Sequence, residues 1–145
     1  MIGALEGATK IFLDSAPLIY FVEENSDYCP LIEPIIEAID SGTKLGLCSY
    51  VTLLEVLVKP LELRRHDLAE RYRDLLLGSE NMRVLPVERT VTEEAARLRA
   101  ERKVGTPDAI LLATARLAGA DAFVTNDTRL PEIPGMTIVC LQDHI

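Results

Sequence analysis

The feature that most restricts this chain is a repeated alternation, in which short apolar runs of strand length are each followed by a longer segment with apolar residues at helical spacing. Residues 10–14 (KIFLD) open the series. Ser15 and Pro17 then give a helix start, because a serine side chain caps free backbone N–H groups and proline is tolerated in a first turn; the helix is expected to reach about residue 24. Residues 31–40 have helical spacing, closed by Ser41 and Gly42, and residues 44–48 (KLGLC) read as a second strand. Ser49 is placed to cap a helix carrying Val51, Leu54, Leu57 and Val58, which Pro60 is expected to end. Residues 66–78 form an amphipathic helix stopped by Gly78, and residues 83–87 a third strand. Thr90 and Glu93 have capping-box spacing before a helix to about residue 103, and Thr106-Pro107-Asp108 starts another that ends near Gly119. Residues 122–125 (AFVT) and 137–141 (TIVCL) complete five strands. Such alternation predicts an α/β/α sandwich around a five-stranded, mainly parallel sheet. No repeat or linker-like stretch interrupts it, so residues 1–145 are expected to form one domain.

Composition removes several functional classes. Fifteen Lys and Arg against 23 Asp and Glu give a formal charge of −8, the wrong sign for holding nucleic acid by the overall field, so a polyanionic substrate must be held locally. Three Phe, four Tyr and no Trp argue against a module that stacks single-stranded bases. Cys29, Cys48 and Cys140 are far apart and form no CxxC or Cys/His pair, which suggests reduced core residues rather than disulfides or zinc ligands. The opening MIGALEGATK has no signal-like charged and apolar regions, and no apolar run approaches the ~20 residues of a membrane span. A cytoplasmic protein without membrane contact is expected.

In an open parallel sheet, ligands bind beyond the carboxyl ends of the strands, and this edge selects among the acids. Asp14 ends the first strand, and Asp127 follows the fourth in TNDTRL. A crossover helix runs antiparallel to the strands it joins, so its N-terminus shares their carboxyl edge, and Asp108 lies at such an N-terminus. Glu55 is six residues beyond Ser49, roughly 9 Å along its helix, within reach of the same edge. Asp121 precedes its strand and belongs at the opposite edge. Like charges ~6 Å apart repel by on the order of 3 kcal/mol per pair at an effective dielectric near ~20, so four converging acids need a counter-charge. Hard oxygen donors without His or Cys favour Mg²⁺ or Mn²⁺, whose chemistry with water and phosphate is phosphoester hydrolysis. Taken singly, each acid has a plainer explanation: a strand end for Asp14, a solvated face for Glu55, a dipole partner for Asp108, a turn for Asp127. Only their convergence outweighs these. Ser15, Thr125 and Asn126 are placed to hydrogen-bond the carboxylates or a bound phosphate. His66 and His144 are isolated and read as surface residues, and the basic positions between residues 59 and 73 as a solvated helix face.

In order and spacing, IFLDSAPLIY, TLLEVLV, GTPDAILLATA and FVTNDTRL resemble the four motifs of the PIN domain family, most closely its VapC-type toxins. The resemblance covers about residues 11–141 and rests chiefly on the last two motifs. It implies a five-stranded parallel sheet, Mg²⁺- or Mn²⁺-dependent endoribonuclease activity, commonly a homodimer, and a small antitoxin partner. It maps the metal-binding acids onto Asp14, Glu55, Asp108 and Asp127, assisted by Thr125 or Asn126. Pro17 and Leu111 depart from the pattern, since relatives often carry a hydroxyl near the first and some carry an acid at the second. Alternatives are a PIN-like RNA-processing nuclease without an antitoxin, a phosphoacceptor domain and a non-catalytic protein-binding domain. A phosphoacceptor would need two acids after the first strand and a lysine after the last; here there is one acid, and Gln142-Asp143 follow the last strand.

Overall fold

The computed structural model describes residues 2–145. Its core is a sheet of strands β1 (Lys10–Leu13), β2 (Leu45–Ser49), β3 (Met82–Leu85), β4 (Ala122–Thr125) and β5 (Thr137–Cys140), in the order β3-β2-β1-β4-β5. All four strand pairings are parallel. Crossovers are made by helices α1 (Ser15–Val22), α2 (Cys29–Asp40), α3 (Tyr50–Glu62), α4 (His66–Leu77), α5 (Arg89–Glu101) and α6 (Thr106–Leu117). The expected α/β sandwich is what forms, with the sheet wholly rather than mainly parallel.

Two apolar clusters occupy the two faces of the sheet, and the period of two along each strand divides residues between them. Ile11, Leu13, Cys48, Ala122 and Val124 face one cluster with α2 and α4, whereas Phe12, Leu47 and Phe123 face the other with α5 and α6. Phe12 and Phe123 stand opposite each other in the register, with ring centroids 5.0 Å apart and planes within 7°. Both are fully buried or nearly so. At β2, Gly46 keeps the layers close: a Cβ there would lie 2.7 Å from Met82 Sδ and 2.9 Å from Ile39 Cδ1.

The strand order reverses between β1 and β4, and the chain after both strands carries acids, Asp14 and Asp127. Asp121 lies at the opposite edge as expected, where its Oδ2 accepts the N–H groups of Thr9 and Lys10, each at 2.9 Å. These bonds hold its carboxyl below the usual range.

Several boundaries differ from expectation, each for a local reason. Pro60 does not end α3; it is buried, the helix continues to Glu62, and Leu63 still donates to the Lys59 carbonyl at 3.0 Å. Near a helix end a proline removes only one hydrogen bond, which packing outweighs. The Thr90/Glu93 capping box does not form, because the cap position of α5 lies two residues earlier, at Glu88, and Glu93 instead pairs with Arg89 at 2.9 Å. Helix α2 starts at Cys29, where the Asn25 side chain turns the chain by accepting from Asp27 and Tyr28, both at 3.0 Å. Strand β3 is shifted to Met82–Leu85, and short 3-10 turns precede β1 and follow β5. His66 is exposed, but His144 is half-buried. The three cysteines are free; Cys48 is buried and its thiol is pushed up to about 12 by desolvation. Among the described residues, no helix is long and apolar enough to cross a membrane.

The stacked pair at the centre of the sheet gives a direct test. Phe123→Ala is expected to cost about 3–5 kcal/mol in urea unfolding, the usual cost of emptying an aromatic site in a close-packed core. A loss below about 1 kcal/mol would contradict this packing.

Candidate active site

Each acid reaches the carboxyl edge by a different route. Asp14 follows β1 directly, and its N–H donates to the Val124 carbonyl at 3.0 Å, so the sheet ladder fixes its backbone. Its side chain, 9% exposed, caps α1 by accepting the Ser15 N–H at 2.8 Å. Asp14 rather than Ser15 is therefore the cap. The freed Ser15 hydroxyl donates to Glu55 Oε1 at 3.1 Å, tying α1 to α3. Glu55 is placed by α3, whose start is held by a capping box between Ser49 and Thr52. Asp108 lies in the first turn of α6, behind Pro107.

Thr125 joins two of the acids. Its hydroxyl donates to Asp14 Oδ2 at 2.8 Å and accepts the Asp127 N–H at 3.0 Å, using the donor and acceptor capacity of one oxygen. Asp127 then meets Arg129, whose Nε and Nη2 lie 3.1 and 3.2 Å from its two oxygens. Asn126 turns away from the acids. Its amide donates to the Tyr20 hydroxyl at 3.1 Å and its oxygen accepts the Gln142 N–H at 3.0 Å, bracing α1 against the segment after β5.

Asp14, Ser15, Glu55, Asp108, Asn126 and Asp127 thus border one cleft of about 420 Å³, with Tyr20 and Arg129 also in its wall. A larger hollow of about 530 Å³ adjoins it through Asp127 and Thr128, but contains none of the other three acids. Neither Tyr20 nor Arg129 was among the residues expected from sequence. Arg129 had a signal, a cation two residues past an aspartate in a turn, and Tyr20 had one in its position a helical turn beyond Ala16.

The electrostatics separate the acids into two groups. Burial pushes the carboxyl of Asp14 above its usual range, against the hydrogen bonds from Thr125 and Ser15. Glu55 is raised by burial and by the charges of Asp14 and Asp108, against the Ser15 bond. Asp108 is raised by burial and by Asp14 and Asp127. Asp127 goes the other way, lowered by its hydrogen bonds from Arg129. Three acids thus resist charging together while the fourth is neutralised by a cation. Among the described residues no three acidic, His or Cys side chains stand close enough to cage an ion as they lie. The donor set nevertheless suits Mg²⁺, which is bound through one or two carboxylates and keeps several waters, rather than a closed protein cage.

Comparison with known proteins agrees with the fold. The crystal structure of Rickettsia felis VapBC2, bound to a DNA fragment from its promoter, superposes with a TM-score of 0.71 at 16% identity, covering 90% of this chain and 97% of that one. A Klebsiella pneumoniae toxin-antitoxin complex gives 0.66 at 24% identity, covering 88% and 95%. Mycobacterium tuberculosis VapC20, a toxin that cleaves the sarcin-ricin loop, gives 0.63 at 19% identity, covering 78% and 86%. No curated protein sequence matches. Residues 11–136, which take in strands β1 to β4 except Lys10 and include all four acids, match the PIN domain, and the chain belongs to that family.

Proposed function

We propose that residues 1–145 act as one Mg²⁺- or Mn²⁺-dependent endoribonuclease domain in the cytoplasm, the toxin of a toxin-antitoxin pair. The observation that carries this reading is the cleft lined by Asp14, Glu55, Asp108 and Asp127, where burial first and neighbouring carboxylates second raise the carboxyls of the first three. A cation held there would activate water and stabilise the leaving oxygen of a phosphodiester. Asp14, Glu55, Asp108 and Asp127 would hold it. Ser15 and Thr125 keep three of those acids, Asp14, Glu55 and Asp127, oriented, and Asn126 contributes by bracing the wall.

The partners follow from surface chemistry. A hollow of about 320 Å³ between α1, α2 and α4, lined by Phe21, Val22, Cys29, Arg71 and Leu75 among others, suits an amphipathic segment of a small antitoxin. An antitoxin arginine reaching the acids would suit a chain of charge −8. For a homodimer, α3 offers a stripe of Tyr50, Leu54, Val58 and Leu61, with Leu54 62% exposed and no charged residue in the stripe. Leu54→Asp is expected to shift the chain from dimer to monomer in sedimentation velocity; an unchanged sedimentation coefficient would exclude this face.

The decisive experiment is digestion of a total RNA pool with and without Mg²⁺. Asp108→Asn should lower cleavage by about 100-fold or more, and chelator should abolish it. Cleavage indifferent to chelator would end the metal reading. The same substitution should raise the melting temperature of the metal-free chain by about 2–4 °C, because it removes one of three crowded charges.

The raised carboxyls also set a pH signature. A folded-state value above the unfolded one favours the fold while the group is protonated, and that contribution is lost as pH rises through the folded value. Metal-free stability from these three groups should therefore increase as pH falls from neutral towards the ordinary carboxylate range near pH ~4. Added Mg²⁺ should raise the melting temperature most at neutral pH and little near pH ~4. A Mg²⁺ shift independent of pH would place the ion elsewhere.

A further inference from the structure

Among the described residues that line the acid cleft, Arg129 is the only one with a positive charge. It occupies both oxygens of Asp127 through Nε and Nη2, and its backbone N–H also donates to Oδ1 at 2.9 Å. Its charge additionally acts on Asp108. Yet the Arg129 side chain is 87% exposed against 22% for its partner, so the guanidinium lies on the solvent side of Asp127 and is free to swing. A neighbouring hollow of about 300 Å³ is lined by Arg129 together with Lys103, Asp108, Asp127 and Leu130. Lys103 is exposed and forms no salt bridge among the described residues. The two cations thus share a hollow that adjoins the cleft at the start of α6, in a chain of net charge −8.

A guanidinium fork fits carboxylate and phosphate equally well, in the same bidentate manner. An exposed pair of this kind contributes little to stability, so exchange of one anion for the other is not opposed by the fold. We propose that Arg129 is a positioning residue with two alternative partners: it covers Asp127 in the empty cleft, and seats a phosphate of the RNA backbone once Asp127 is given over to a cation. Lys103 extends the same seat by one phosphate. This assignment rests on the ribonuclease reading above, and explains how an acidic chain holds a polyanion locally.

Because the two roles oppose each other, one substitution should move two affinities in opposite directions. Removing the guanidinium frees Asp127 for a cation and deprives the RNA of its seat. Mn²⁺ titration followed by electron paramagnetic resonance should show Arg129→Gln binding Mn²⁺ about three- to tenfold more tightly than the parent. RNA binding is read by anisotropy of a fluorescein-labelled single-stranded RNA of mixed sequence, with Mn²⁺ present and Asp108→Asn in every arm to prevent cleavage. There Arg129→Gln should weaken binding about three- to tenfold and lower the slope of log K against log salt by about 1. Arg129→Lys should keep that slope while losing part of the affinity, since a point charge replaces a fork. Lys103→Gln should weaken RNA binding without changing Mn²⁺ affinity.

Unchanged RNA affinity and slope in Arg129→Gln would overturn the proposal and leave an ordinary surface ion pair. Weakening of both Mn²⁺ and RNA binding would also overturn it, because that is the mark of a disturbed loop. Absence of RNA binding in the Asp108→Asn chain, together with absence of RNA cleavage in the parent, would instead overturn the ribonuclease reading on which it rests.

Discussion

Crowding of like charge at the carboxyl edge of the sheet is the constraint on which the rest of this structure turns. Two strands end side by side at the point where the strand order reverses, and one crossover helix starts and another passes there, so the topology itself delivers the acids. Hydrogen bonds from Thr125 and Ser15 and the charge of Arg129 offset the cost only in part, and Asp14, Glu55 and Asp108 all stay raised. A fold selected only for stability would place neutral groups at such a crevice. The retained cost would favour a cation in the proposed role, because an ion binding there would gain the attraction of charges already desolvated and already near one another.

Holding those charges in place is the task of short side chains with both donor and acceptor capacity. Thr125 is fully buried and uses one hydroxyl to connect Asp14 with the backbone of Asp127, so the ends of β1 and β4 move as a unit. Ser15 makes the corresponding link between α1 and Glu55. A valine at position 125 would fill the same volume and sever both bonds, which is why threonine and not a β-branched hydrocarbon closes β4. Packing behind these residues is equally economical. Ile11, Leu13 and Val124, on the strands that lead to Asp14 and Thr125, build the sheet's core.

Much of this was legible in the sequence because it depends on period and direction, which are local properties. The five strands, the parallel order and the separation of Asp14, Glu55, Asp108 and Asp127 from Asp121 all follow from where apolar runs end and helices begin. What escaped depends on choices among near-equal local hydrogen bonds. Asp14 and Ser15 are both good caps, and only the position of Glu55 across the cleft decides that the serine hydroxyl is needed elsewhere. Asn126 sits between two residues of the site and still points away, because the Tyr20 hydroxyl and the Gln142 N–H satisfy its amide at both ends. Pro60 and the Thr90/Glu93 pair show the same limit: a lost local bond is outweighed by burial at Pro60, and Glu93 takes Arg89 as partner instead of capping the helix.

Helix α3 links the chemistry of the cleft to the surface of the molecule. Consecutive residues on it serve three different environments: Leu54 faces solvent, Glu55 faces the acids, and Val56 lies in the core. The helix is therefore held from the core side by Val56 and from the site side by the Ser15 bond, while its third side is apolar and uncovered in the isolated chain. In the dimer proposed above, a second copy would hold that third side. The orientation of Glu55 would then be fixed from three directions instead of two, at an acid whose neighbours repel it. Assembly would in this way stiffen the one acid of the cleft that neither a strand end nor a helix N-terminus positions, since a residue in a helix interior owes its placement to how the whole helix is seated.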